Sequence, residues 1–134
     1  MALTYVDANV LVYALHPLEH PKQEGARKLL MRLCSKQEAV TSALAVDELV
    51  WAIRREAGVA VALEVGRQAM VMPGLDFAPV RRRDMARALD LMAEAKLDPR
   101  DAIHAGVAIE SHCKRIASDD ADFDRVPGIQ RIAP

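Results

Sequence analysis

Five carboxylates spread along this chain have the surroundings of buried chemistry, not of a solvated face. Asp7 stands in YVDANVLVYAL, Glu48 in TSALAVDELVWAIRR, Asp101 in LDPRDAIHAGVAIE, and Asp120 with Asp122 in RIASDDADFDRVPGI. Each borders an apolar stretch of the kind that makes buried strand or helix. A carboxylate beside a core is rarely left without something positive to neutralise it. Several brought together raise one another's pKa and repel, unless divalent cations lie between them. An oxygen-only donor set, with no His or Cys companion, favours Mg2+ or Mn2+ over Zn2+. One or two such ions activate and orient a water and offset charge on phosphorus, so phosphodiester hydrolysis needs no side-chain nucleophile.

Taken singly, each acid also has an ordinary reading. Asp7 can cap the helix that follows it, and Asn9 can orient Asp7 or act as that cap. Glu48 can pair on the surface with Arg55; its neighbour Asp47 points about a third of a turn away and cannot serve equally. Asp101, with Asp98 at the N-cap, sits where an acid completes a capping box and favours the helix dipole. Asp119, Asp120, Asp122 and Asp124 crowd one loop, with Phe123 as an apolar anchor; alternation places Asp120 and Asp122 on one side and Asp119 on the other. His104, one turn beyond Asp101, either touches a substrate phosphate or, more commonly for a helix histidine, is satisfied by a neighbouring carboxylate. Arg54, Arg55 and Arg81 to Arg83 are candidate phosphate contacts, though most arginine runs are solvated faces. No Gly-rich phosphate loop, GxSxG or Ser/His/Asp order is present.

The elements that must position these groups alternate between strand and helix. Leu3 to Val6 reads as a buried strand, with Asp7-Ala-Asn turning into a helix over Val10 to Leu15. His16-Pro17 and His20-Pro21 punctuate a loop. Lys22 to Cys34 is an amphipathic helix with Ala26, Leu29, Leu30 and Leu33 on one face. Ala39 to Ser42 is a second strand, and Ser42 can cap a helix over Ala43 to Glu56 that Gly58 ends. Val59 to Met72 forms a helix with few charges. Leu75 to Val80 supplies a strand, and Arg81 to Lys96 a helix with Met85, Ala88, Leu89 and Met92 on one face. Pro99 then opens a helix over Arg100 to Cys113. Arg115 to Ser118 and Gln130 to Ala133 are strands joined by the acidic loop. The pattern predicts one three-layer α/β domain over residues 1–134, with a mostly parallel sheet of four to five short strands flanked by helices. Ligands of such sheets gather at the carboxyl ends of the strands, where Asp7 and Asp120 fall.

Composition narrows the classes further. The 134 residues are 51% hydrophobic and 28% charged, enough to bury a core without staples. A formal charge of −1 gives no overall basic field for duplex DNA, so any nucleic-acid contact needs a local patch or metals that reverse the sign of the acidic site. Cys34 and Cys113 make neither a metal-ligand spacing nor a disulfide framework. The opening MALTYVDANV has neither the basic start nor the apolar core of a signal peptide, and no stretch is apolar enough to span a bilayer. A cytoplasmic location is the expectation.

Together, these segments resemble the PIN-domain ribonucleases, specifically the VapC-type toxins of bacterial toxin–antitoxin pairs. DANVLVYAL is similar to the family's first motif and places its first metal-binding acid on Asp7. TSALAVDELVWAIRR is similar to the segment with the family's helix glutamate, where a Ser precedes the acid by six residues; Ser42 to Glu48 has that interval and selects Glu48 over Asp47. LDPRDAIHAGVA resembles the third motif, with Asp101. IASDDADFDRVPGI resembles the closing motif, with Asp120, Asp122 and the supporting hydroxyl of Ser118; it departs by carrying Asp119 at a variable position. The resemblance implies a Mg2+- or Mn2+-dependent endoribonuclease in which Asp7, Glu48, Asp101 and Asp120 hold metal and Asp122 assists. It also implies a small cognate antitoxin and a homodimer, for which the charge-poor Val59 to Met72 helix is the candidate surface.

Three other classes fit this pattern less well. An Asp-phosphorylated receiver-like domain needs paired acids after the first strand and a lysine near a late strand; this chain has one Asp there, and Lys114 precedes its strand. A non-catalytic PIN-like module that binds RNA or protein is disfavoured by the retained acids. A DNA flap nuclease would need long insertions and a basic surface.

Overall fold

A computed structural model describes residues 2–134. Three short buried runs, β1 (Thr4–Val6), β2 (Ala39–Ser42) and β4 (Arg115–Ala117), pair with β3 (Leu75–Ala78) and β5 (Gln130–Ile132) in the order β3-β2-β1-β4-β5. Every pairing is parallel. The helices are α1 (Ala8–Leu15), α2 (Gln23–Ser35), α3 (Ala43–Ala57), α4 (Val59–Met70), α5 (Arg82–Ala95) and α6 (Pro99–Glu110).

Successive strand residues point to opposite faces and therefore build two cores. Val6, Ala39, Leu75 and Ala117 join Leu11, Leu30, Leu33, Leu49 and Ile53 from α1 to α3. Tyr5, Val40 and Ile116 join Ala88, Leu91, Ala105 and Val107 from α5 and α6 on the other side. Three layers result, as the alternation of elements predicted. On the second face, α5 and α6 approach closely because Gly106 has no side chain; a Cβ there would lie 2.6 Å from the Asp84 carbonyl oxygen.

Differences from the sequence reading are local and have local causes. Helix α1 begins at Ala8, two residues earlier than expected, because Asp7 caps it directly. Helix α6 begins at Pro99 and ends at Glu110, before His112 turns to a φ of 63°. The face α5 buries is Ala88, Leu91 and Ala95; Leu89, expected inside, is exposed. Ser42 occupies the N-cap position of α3, but its hydroxyl makes no capping bond and turns inward. The acidic loop is not fully irregular: Ala121–Arg125 forms a 3-10 turn pinned by fully buried Phe123.

Candidate active site

With all strands parallel, the residues after β1, β2 and β4 lie on one rim. Asp7 follows Val6 there, Glu48 sits one turn into the helix after β2, and Ser118 to Asp120 follow β4. The start of α6 brings Asp101 to the same place. Its carboxyl is pushed up to about 7, by burial first and then by the charges of Asp7 and Asp120; His104 offsets this only in part. That mutual influence is the physical mark of convergence: carboxylates 94 and 19 positions from Asp101 in sequence sense one another in space.

The deepest acid is Asp7, which is 5% exposed. Its Oδ1 accepts the Ala8 N–H at 2.7 Å, and its Oδ2 accepts Ser118 Oγ at 2.7 Å and Asn9 Nδ2 at 3.1 Å. Burial still raises its pKa, against the lowering by His104 and these donors. The Ser118 hydroxyl, donating to Asp7, accepts from Asn9 Nδ2 at 3.1 Å and from the Asp120 N–H at 3.0 Å. One buried hydroxyl thereby ties the first strand's acid to the loop after β4. Ser118→Ala leaves these groups without their shared partner and is expected to cost about 1–3 kcal/mol of stability in a urea titration.

At the outer end, oxygens of Asp101, Asp120 and Asp122 lie within 4.8 Å of one another. Asp120 Oδ1 accepts the Asp122 N–H at 2.9 Å, and Asp122 also meets Arg125 at 3.0 Å. The 3-10 turn, not strand alternation, puts Asp120 and Asp122 on one side. Asp119 turns away: its carboxylate takes Tyr13 Oη at 3.1 Å and an ion pair with Lys22, while its N–H donates to Asn9 Oδ1 at 3.2 Å. Nothing in the sequence signalled Lys22 as that partner.

Between these ends stands His104, fully buried. Its Nε2 lies 2.5 Å from Glu48 Oε1 and 3.7 Å from Asp7 Oδ1, and its Nδ1 lies 2.7 Å from Tyr5 Oη. Tyr5 Oη in turn meets Ser42 Oγ at 2.7 Å. The phosphate-contact reading of His104 is therefore corrected in favour of the commoner one, satisfaction by a neighbouring carboxylate, here Glu48: a ring with no exposed face reaches no substrate, and its two nitrogens are already engaged. Tyr5 was missed by sequence reasoning, although a tyrosine inside an apolar strand needs a partner for its hydroxyl, and that was the available signal. Arg54 and Arg55 are exposed on α3 and stand outside the cluster; Arg55 lies over the Trp51 ring at 4.3 Å instead of pairing with Glu48.

Three hard oxygen donors converging, one of them pushed toward neutrality, are suited to a hard divalent ion. No helix of the described residues is long and apolar enough to cross a membrane.

Comparison with known proteins agrees with this fold. The family model described as PIN domain matches residues 4–129. VapC ribonuclease Mb1869c of Mycobacterium bovis and Ribonuclease VapC13 of Mycobacterium tuberculosis are each 32% identical over 133 residues, 96% of this chain and 98% of the relative. The crystal structure of Mycobacterium tuberculosis VapC20, described as a sarcin–ricin-loop-cleaving toxin, matches with a TM-score of 0.78 at 14% identity, covering 95% of this chain and 97% of that one. DNA-bound VapBC from Salmonella typhimurium matches with a TM-score of 0.76 at 18% identity, covering 99% of this chain and 98% of that one. At such identities the two structures speak for the fold alone.

Proposed function

The chain belongs to the PIN-domain family, and from that membership we propose that it is a metal-dependent endoribonuclease, the toxin of a toxin–antitoxin pair. The observation that carries the reading is the meeting of Asp7, Glu48, Asp101, Asp120 and Asp122 at one rim of a parallel sheet. Its curated relatives are named ribonucleases and match over nearly their whole length.

Asp101 and Asp120 would hold Mg2+ or Mn2+, with Asp7 and Glu48 binding directly or through water and Asp122 assisting. A cation there supplies Lewis acidity, making a water acidic and offsetting charge at phosphorus. Asp7 is oriented by Ser118 and Asn9, so its oxygens keep one direction while substrate enters. Glu48 is held by His104 at the inner wall, where it can orient a water for in-line attack on the phosphodiester. The departing oxygen takes its proton from solvent, since the outer acids are half-exposed. Arg54 and Arg55 are the proposed contacts for flanking phosphates, which would supply the local positive patch that a chain of net charge −1 needs.

We further propose a cognate antitoxin and a homodimer, with residues 1–134 acting as one domain in the cytoplasm. Structures of toxins in VapBC complexes are among those that match the fold. Exposed apolar side chains along and just after α4 (Val59, Leu63, Met70, Val71) support a partner-facing surface. A separate apolar groove of about 750 Å³, lined by Leu15, Leu30, Met31, Cys34 and Met72 among others, would suit an antitoxin segment.

The test is cleavage of RNA by the purified chain. Activity should vanish with EDTA and return with Mn2+ or Mg2+. Cleavage that survives exhaustive chelation would refute the metal reading.

A further inference from the structure

Among the described residues, Tyr5 and Phe123 are buried and Tyr13 and Phe77 half-buried, whereas Trp51 is 52% exposed. An indole so placed forgoes part of what burial would contribute to stability. It stands on α3 three positions beyond Glu48, about one turn and roughly 4.5 Å further along the axis. Helical side chains lean toward the N-terminus, so the ring is carried back toward the turn that holds Glu48.

The surroundings of the ring are charged. The Arg55 guanidinium lies over it, 4.3 Å from the centroid, and Arg54 is exposed on the same helix. Neither arginine has a salt-bridge partner among the described residues, and the acid beside them, Glu56, is engaged by His16. A protein-docking face surrounds its aromatic anchor with apolar neighbours, but the exposed Val59, Leu63 and Met70 belong to the next helix, α4. Unpaired positive charge beside an exposed aromatic ring is what single-stranded nucleic acid uses instead: a base stacks on the ring and the cations meet phosphates. Bases within a duplex are already stacked on their neighbours and cannot use it.

We propose that Trp51 is a stacking platform for an unpaired base of the RNA, beside the phosphodiester that meets the acids, with Arg55 backing the other face of the indole. The site is thereby fitted to single-stranded or looped RNA. The inference rests on the ribonuclease reading and deepens it by naming the form of the substrate.

Trp51 is the only tryptophan in the chain, so its emission reports on this ring alone. Random-sequence single-stranded RNA, titrated in EDTA, should quench that emission, and duplex RNA of the same length should leave it unmoved. Trp51→Ala removes an exposed side chain and should weaken binding of the single strand, followed by anisotropy of labelled RNA, by about fivefold or more. Trp51→Phe, which keeps an aromatic face, should recover most of that loss. With Mn2+ present, the Trp51→Ala defect should lie in KM, with kcat within about twofold of wild type. Single-stranded RNA that binds without moving the emission, equal quenching by duplex, or a smaller loss in Trp51→Ala overturns the platform and leaves the nuclease reading standing. So does a Trp51→Ala chain that changes its oligomeric state by light scattering while keeping its RNA affinity, which would assign the ring to a protein interface. Should EDTA prevent binding, the KM comparison with Mn2+ decides. Neither binding in EDTA nor cleavage with Mn2+ would overturn the ribonuclease reading itself, and this inference with it.

Discussion

Asp101→Asn is expected to cut RNA cleavage by more than about 100-fold and to raise the melting temperature of the metal-free protein. The first effect follows because groups that merely orient metal ligands are worth about 10–100-fold, and a proposed ligand is worth at least that. The second follows because the Asp101 carboxyl, at about 7, is destabilised by burial and by the charges of Asp7 and Asp120. Replacing it with a neutral amide of similar shape removes that repulsion, a gain of a few degrees by calorimetry. Opposite signs in one substitution separate a functional acid from a structural one. A capping-box aspartate, the ordinary reading of this residue, would lose stability on the same change. Unchanged cleavage, or a lowered melting temperature with cleavage retained, would end the assignment.

The second large effect is a pH dependence with opposite slopes for the two forms of the protein. Asp101 is raised from 3.8 to about 7 in the folded chain, and Asp7 is raised as well. His104 is also raised: burial pulls it down, but the Glu48 hydrogen bond and the charge of Asp7 outweigh that. In each case the folded state holds its proton more tightly than the unfolded state, so the stability these groups contribute is greatest at low pH. For the two aspartates that contribution should decline from about pH 4 upward, for Asp101 until about pH 7, and for His104 it should decline above about 6.5. Metal binding runs the other way, because the ion must displace the Asp101 proton. Apparent Mn2+ affinity should climb about tenfold per unit below pH 7 and level off above it. Urea melts of the chelated protein and Mn2+ titrations across pH 5.5 to 8.5 measure both slopes. A Mn2+ affinity flat across that range would mean that Asp101 is not displaced, and the site would need to be sought elsewhere.

Much of this was legible in the chain because it depends on local pattern. Apolar runs of strand length, separated by helical periodicity, led to the parallel three-layer fold; the acids stood out because each borders such a run. Phe123 was identifiable as an anchor, since an aromatic inside an acidic loop has few other uses. The misreadings came where a side chain had two nearby uses and only distance could choose between them. Ser42 caps nothing because Tyr5 lies within 2.7 Å of its hydroxyl. His104 reaches no substrate because three elements close over it. Leu89 lies outward because the close approach of α5 to α6 at Gly106 fixes which stripe of α5 faces in.

The amino-acid order by itself determined which acids were candidates and which strand ends would carry them, since period and turn chemistry are written along the backbone. Only the folded chain decided how their charges are balanced: protein donors at Asp7 and Glu48, and crowding at Asp101, Asp120 and Asp122. That division depends on separations of a few ångströms between residues as much as 111 positions apart, and electrostatic and hydrogen-bond energies change steeply over such distances.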